Sequence, residues 1–361
     1  MTTIVPAAGP ERFLALVPAL LGFTPRRSVV LVPFSGSRSC GALRVDAPAD
    51  GAEAAPIAAT LIGLVCRVAE ADGYAVVVYD DGARPHADLV AALAACADVC
   101  GLRTVDALWT APGGWGSYRA DGRGGPAPDR ERLPDGVLRP PVGDQSSGAD
   151  LLPADPDETA LVADQVAQLD AAGALLAGAR TAGRVNPPAL AAAGDLDDLP
   201  QFFDAALTEP GAAAAATTPF RTALLVWCLA RPALRDIALA TWAGGVTAGD
   251  DALQAQLRWE QGEDYPPALA ERMGGEGPRP DPRRLSAALA VCRAAAARAP
   301  RACAAGPLAA CAWLSWALGR STHAAIYART ARELEPEHGL AGIVLSFVAA
   351  GHLPEWAFTR P

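Results

Sequence analysis

Apolar residues in the first third of the chain follow the two spacings that distinguish strands from helices. The β-rich runs Val29–Phe34 and Ala42–Asp46 flank a loop of Gly and Ser residues, which predicts a hairpin. Residues 54–71 place apolar side chains at helical spacing, and the continuous run Ala75–Tyr79 is typical of a strand covered on both faces. The pattern indicates a sheet with helices packed on it.

Three further elements complete this part of the chain. A short helix is predicted at Glu11–Leu21, a longer one at His86–Cys100, and a strand at Leu102–Trp109. The last strand–helix–strand unit is expected to be parallel. We therefore predict an α/β domain, a mixed sheet flanked by helices, over residues 1–110.

The pattern stops between residues 111 and 150. Gly and Pro supply 15 of these 40 residues, and the apolar side chains are isolated. We predict a Gly/Pro-rich loop or arm. Trp115 and Tyr118 either anchor this segment on the first domain, with a further short strand, or serve as binding residues.

Beyond Asp150 the apolar spacing is helical almost throughout, which predicts an all-α helical bundle over residues 151–361. Breaks rich in Pro, Gly and Ala fall at Thr208–Pro219 and Tyr265–Pro282. Five tryptophans lie on apolar helix faces and are expected in the core: Trp227, Trp242, Trp259, Trp313 and Trp316.

One helical pair, residues 308–336, has a more specific pattern. Its small residues Ala312, Gly319, Ala324 and Ala331 resemble those of a single tetratricopeptide helical hairpin, in which small side chains let two antiparallel helices approach closely. The chain shows one copy and no large aromatic early in the first helix. A packed pair inside a bundle is the alternative.

Composition excludes several chemistries. The chain has no lysine, so Schiff-base catalysis and the phosphate-binding loop that ends in Lys are excluded. A net charge of −10 without a basic stripe argues against nucleic-acid binding. We expect no membrane span and no secretory signal, and hence a cytoplasmic protein. The oligomeric state is left open.

Metal ligation by cysteine and histidine is not expected. Eight cysteines and four histidines show no ligand spacing. Cys96 and Cys100, one helical turn apart, are interpreted as small buried apolar residues. We predict no metal and no cofactor from these residues.

Carboxylates offer an alternative metal site. Asp80 and Asp81 directly follow a buried strand, and Asp46 and Asp106 lie on other strands. Asp80, Asp81 and Asp46, the candidate catalytic residues, would hold Mg²⁺ for phosphoryl or phosphodiester hydrolysis. Alternatively, Asp80 or Asp81 caps the helix that starts near Pro85, and Asp46 ends a strand.

Arginines near the start of the sheet are candidate binding residues. Arg26, Arg27 and Arg44 would form an anion site. Arg44 and Asp46 share one face of a strand, so an in-sheet ion pair also explains them. His86, at the front of a helix, is expected to be exposed and to lack a partner for base catalysis.

Three sequence blocks resemble a known family. They are the opening LLGFTP with SVVLV and Arg44–Asp46, the helix RPALRDIALATW, and the final CAWLSWALGRSTHAAIYARTARELEPEHGLAGIVLSFVAAGHLPEW. Together they resemble an actinobacterial domain-of-unknown-function family. The resemblance implies a bacterial cytosolic protein of the same architecture, and it implies no activity, cofactor or catalytic residue.

The sequence thus favours a non-catalytic binding or scaffold protein with a protein partner or a small ligand. The alternative is a metal-dependent phosphohydrolase or phosphodiesterase, and Mg²⁺ is implied only under that alternative.

Overall fold

The computed structural model describes residues 9–119, 123–128, 143–176, 196–208 and 218–359. The chain forms two compact units. One contains the residues up to Ser147 together with the C-terminal residues from Phe358, and the other contains Gly148–Ala357.

The described part of the first unit, the sheet unit, contains three helices and seven strands. In chain order they are α1 (Pro10–Leu21), β1 (Ser28–Ser35), β2 (Arg38–Ser39), β3 (Leu43–Asp46), α2 (Ala54–Cys66), β4 (Gly73–Tyr79), α3 (Ala87–Val99), β5 (Arg103–Ala111), β6 (Gly114–Ser117) and β7 (Gly124–Gly125).

These strands form one mixed sheet in the order β2–β1–β4–β5–β6–β7, and β3 also pairs with β1. β1 runs antiparallel to β3 and to β4, which confirms the predicted hairpin. β4 and β5 are parallel, as predicted for the strand–helix–strand unit. Ser28 at the start of β1 lies opposite both Asp46 and Tyr79, so the carboxyl ends of β3 and β4 share one edge of the sheet.

Both faces of the central strands are covered, and side chains divide between the faces with the period of two expected of a strand. Val29 and Val76 belong to a core with residues of α2 and α3. Val30 and Val77 belong to a second core with residues of α1. This double coverage explains why both strands read as continuous apolar runs.

The sheet extends further than the sequence predicts. β6 and β7 lie within the segment expected to be a loop or arm. The ring of Trp109 covers Gly116 of β6 so closely that a Cβ there would lie 2.6 Å from it. The sequence predicted at most one further short strand in this segment, because glycine strands lack the alternating apolar side chains by which strands are recognised. Residues 120–122 and 129–142 of this segment lie outside the described residues.

The second unit, the helical unit, contains no strand among its described residues, so the predicted helix-rich second half is confirmed. Its α-helices are α4 (Pro156–Leu176), α5 (Leu199–Thr208), α6 (Pro219–Leu229), α7 (Pro232–Gly244), α8 (Val246–Glu260), α9 (Pro267–Met273), α10 (Pro282–Arg298), α11 (Ala305–Ala317), α12 (Ser321–Leu334) and α13 (Gly339–Ala349). Helix α9 occupies part of the predicted break Tyr265–Pro282, and residues 209–217 of the other break lie outside the described residues.

Tryptophan packing confirms most of the expected core. Trp242, Trp313 and Trp316 are fully buried, and each indole N–H donates to a backbone carbonyl. Trp227 is half-buried. The prediction was wrong for Trp259, which lies in the last turn of α8 and is 55% exposed.

Helices α11 and α12 form a closely packed pair. Ala312, Ala324 and Ala331 are fully buried, as expected of small residues between two helices. The likeness of this pair to a tetratricopeptide hairpin stays a prediction. Among the helices that the structure describes, none combines the length and the apolar character needed to cross a bilayer.

Candidate functional site

The loop that joins β4 to α3, residues 80–86, brings a carboxylate and an imidazole into direct contact. Oδ2 of Asp80 lies 2.8 Å from Nε2 of His86. Both side chains are recessed, with 18% and 14% of their surfaces exposed. Oδ1 of Asp80 accepts the backbone N–H of Asp81. We call this loop, together with Arg27 and Tyr118, the corner site.

The backbone of this loop is strained. Gly82, Arg84 and His86 have φ angles of 85°, 53° and 54°. Two of these residues carry side chains, for which the left-handed region costs roughly 1–3 kcal/mol each. Such conformations persist only when surrounding contacts enforce them.

Tyr118, which follows β6, supplies those contacts. Its hydroxyl donates to the carbonyl of Pro85, and its own carbonyl accepts Nη2 of Arg84 at 2.7 Å. The Arg84 guanidinium also lies over the Tyr118 ring, 5.7 Å from its centre. Burial raises the pKa of Tyr118, so its hydroxyl remains a donor at all physiological pH values.

Helix α3 begins without a side-chain cap. His86 occupies the N-cap position, and no side chain accepts an N–H of the first turn. The interpretation that Asp80 or Asp81 caps this helix was therefore wrong. Asp80 turns instead to His86, because the left-handed residues of the loop bring the imidazole back over the strand end.

Hydrogen bonds stabilise the ionised form of Asp80. Partial burial raises its pKa, but the hydrogen bonds from His86 and from the N–H of Asp81, with Arg27 nearby, outweigh burial and lower the pKa below its usual value. Asp80 is thus ionised at neutral pH. Its carboxylate accepts a hydrogen bond from Nε2–H of His86 and so orients the imidazole ring.

The expectation that His86 is exposed and lacks a partner was wrong. Asp-Gly at 81–82 and the Arg-Pro pair at 84–85 indicate a turn in the sequence. The pairing itself depends on backbone angles and on Tyr118, 32 residues further along the chain, and so the local sequence does not reveal it.

The three candidate arginines have different surroundings. Arg44 is almost buried and donates to Ser28 and to Asp46, which confirms the in-sheet ion pair. Arg26 has a side chain 76% exposed, 3.9 Å from Asp144. Arg27, with a φ of 44°, precedes β1 and influences Asp80.

The candidate carboxylates also have different surroundings. Asp46 is 80% exposed and paired with Arg44, while the side chain of Asp81 is exposed. Asp106 lies within β5, opposite Ala75, away from the strand ends. Among the described residues, no group of three or more His, Cys, Asp or Glu side chains is arranged to hold a metal ion.

Trp115 lies inside the sheet unit rather than at its surface. Only 8% of it is exposed, and it packs in the core beneath α1. It therefore anchors the segment that follows β5. Cys100 corrects another expectation, because it is exposed at the end of α3. Burial, together with the neighbouring thiol of Cys100, raises the pKa of Cys66.

Comparison with known proteins places the chain in a family. The family model described as "Domain of unknown function (DUF4192)" matches residues 10–270, and the chain belongs to this family. The match includes the corner site and two of the three sequence blocks noted above, while the C-terminal block lies beyond it. No curated protein and no solved structure matches the chain.

Proposed function

We propose that this protein is a non-catalytic binding protein of the bacterial cytosol and that the corner site contacts a small polar ligand. The observation that supports the proposal is the strained loop, in which Tyr118 and Arg84 enforce left-handed residues that join Asp80 to His86. Carboxyl ends of strands in open α/β sheets are frequent ligand sites.

Geometry favours a small ligand over a protein scaffold surface. The Asp80–His86 pair is recessed, so a flat protein surface reaches it less easily than a small molecule does. The ligand would form a hydrogen bond with Nδ1 of His86 and accept one from the uncapped first turn of α3.

Binding is favoured over catalysis because the nearby hydroxyl groups are committed elsewhere. Tyr118 donates to Pro85, and Ser28 donates to the carbonyl of Arg26 and accepts from Arg44. Nucleophilic catalysis needs a hydroxyl or thiol within reach of the base, and among the described residues none is hydrogen-bonded to His86.

Equilibrium dialysis of the full chain against a bacterial small-molecule extract, read by mass spectrometry, tests the proposal. We expect one or more compounds to accumulate with the protein and to be recovered unchanged. Asp80→Asn and His86→Asn should abolish the accumulation; Asn tolerates the left-handed backbone of residue 86.

Asp81→Asn is the matched control. It also removes one carboxylate charge, but from the neighbouring residue, whose side chain is exposed. It should accumulate the same compounds as the wild type. Loss of accumulation in all three variants, absence of any accumulated compound, or conversion of the compound into a product would each contradict the proposal.

The metal-dependent phosphohydrolase finds less support. It requires at least three carboxylates around one cation, and the described residues contain no such group. We expect Mg²⁺ and Mn²⁺ to leave the melting temperature unchanged. A shift that Asp81→Ala abolishes would restore the enzyme hypothesis.

A further inference from the structure

A pocket in the helical unit is lined by three arginines. Its volume is about 420 Å³, and it lies where α7 ends, α9 ends and α10 begins. Arg272, Arg279 and Arg284 line it, together with the single carboxylate of Asp281. We call it the arginine pocket.

Arg284 is held in a fixed orientation. Its Nη2 donates to Oδ1 of Asp204 at 2.6 Å and to the carbonyl of Thr241 at 3.2 Å. Its Nε is buried and has no hydrogen-bond partner among the described residues. The two bonds of Nη2 thus fix the orientation of the guanidinium at the pocket wall.

Arg272 has its charge available. Within the described ranges, no residue hydrogen-bonds or forms an ion pair with its guanidinium, which lies against the backbone of Gly244: a Cβ on that glycine would be 3.0 Å from Nη1. An arginine held against a pocket wall without a counter-ion favours an anionic ligand.

Carboxylates balance part of this positive charge, since Asp204 forms an ion pair with Arg284. Asp281 is engaged as the N-cap of α10, where Oδ1 accepts the N–H of Arg283. Gly245, also in the lining, precedes α8, whose first turn has no side-chain cap, and the positive end of a helix dipole adds to the attraction for anions.

We propose that the arginine pocket binds the phosphate group of a small organic phosphate. Arg272 and Arg284 would contact the phosphate oxygens, since guanidinium groups match them in geometry. The volume exceeds that of a phosphate ion and falls in the range of small-molecule sites, and Ala243, Pro278 and Pro280 provide apolar walls for the organic part. This site is separate from the corner site in residues and in chemistry.

Isothermal titration calorimetry of the full chain at low salt tests the inference with phenyl phosphate, inorganic phosphate and benzoate. Phenyl phosphate should bind most tightly, because it alone offers both a phosphate and an apolar group. Arg272→Gln should weaken its binding by at least about tenfold, as expected when one charge-assisted contact is lost.

Arg283→Gln is the matched control. Arg283 is exposed in the same helix turn as Arg284 but does not line the pocket, so its loss should change affinity by less than about twofold. Circular dichroism would verify that both variants are folded.

Absence of phenyl phosphate binding would overturn the inference. So would equal weakening by Arg283→Gln, which indicates a general charge effect. If inorganic phosphate binds as tightly as phenyl phosphate, the proposal that the pocket recognises an organic group is refuted. If benzoate binds equally tightly, the proposal that the pocket recognises a phosphate group is refuted. None of these outcomes depends on Asp80 or His86.

Discussion

The sheet unit and the helical unit use their polar side chains differently. In the sheet unit, the Asp80–His86 and Arg44–Asp46 pairs lie at strand ends, and the two cores between the layers are apolar. In the helical unit, some ion pairs join separate helices, as Arg298 and Glu158 join α10 to α4 and Arg284 and Asp204 join α10 to α5.

The difference follows from how each architecture satisfies its backbone. Strands bond to one another through main-chain groups, so side chains at their ends are available for a site. Helices satisfy their main chain internally, and only side chains can connect one helix to the next. Charge changes should therefore alter the local site in the sheet unit and alter stability in the helical unit.

The largest expected effect is in the helical core. Trp242→Ala removes a fully buried ring whose N–H donates to the carbonyl of Phe203, and it should lower the free energy of unfolding by roughly 3–5 kcal/mol. Trp259→Ala, in the neighbouring helix but exposed, should change it by less than about 0.5 kcal/mol. Urea unfolding measures both. Equal losses would show that burial does not decide the effect.

A smaller effect is expected in the sheet unit. Gly116→Ala places a methyl group against Trp109 and should destabilise by about 1–3 kcal/mol. Gly113→Ala, where a Cβ would meet no atom within 4 Å, is the control and should be near neutral. If both variants melt at the wild-type temperature, the close packing of β6 under Trp109 is not required.

Double-mutant cycles on the two kinds of ion pair compare the units directly. The Glu158–Arg298 pair is mostly buried, and we expect a coupling of about 1–2 kcal/mol from charge-assisted hydrogen bonding. The Arg44–Asp46 pair has an exposed carboxylate and should give less than about 1 kcal/mol. A larger coupling in the sheet pair would reverse the proposed division between the units.

The smallest effect concerns pH. His338 caps α13 by accepting the N–H of Ala341 at Nδ1. Burial, with the nearby Arg235, lowers its pKa, while Glu335 and Asp236 oppose that shift. The unfolded chain thus binds the proton more readily, and stability present above pH ~6.5 should be lost progressively as the pH falls below that value.

His338→Asn keeps a capping side chain but cannot titrate, so it should flatten this dependence at a cost below about 1 kcal/mol. Thermal melts of both proteins between pH 5 and 8 measure it. An unchanged slope in the variant would assign the pH dependence to other groups. Asp236 is not one of them, because burial raises its pKa and a raised carboxyl pKa favours the folded state as the pH falls.

Prediction from sequence succeeded where burial imposes a regular spacing of apolar residues. The doubly covered strand β4 follows from a continuous apolar run, and the β1–β3 hairpin and the parallel β4–β5 pair follow from the order of the predicted elements. The helical character of the second half follows from apolar spacing in the same way.

It failed where conformation depends on residues distant in the chain. Gly116 becomes a strand residue because Trp109 covers it, and His86 meets Asp80 because Tyr118 holds the intervening loop. Neither interaction produces a periodic pattern of apolar residues in the nearby sequence. The Arg44–Asp46 pair, by contrast, needs only two positions on one strand face and was predictable.

The distribution of tryptophan gives the two units distinct optical signals. Trp109 and Trp115 lie in the sheet unit, and the other six of the eight lie in the helical unit. Intrinsic fluorescence therefore reports chiefly on the helical unit, whereas far-ultraviolet circular dichroism reports the secondary structure of both units. Unfolding curves recorded by the two probes will coincide when the units melt together and separate when they melt in turn.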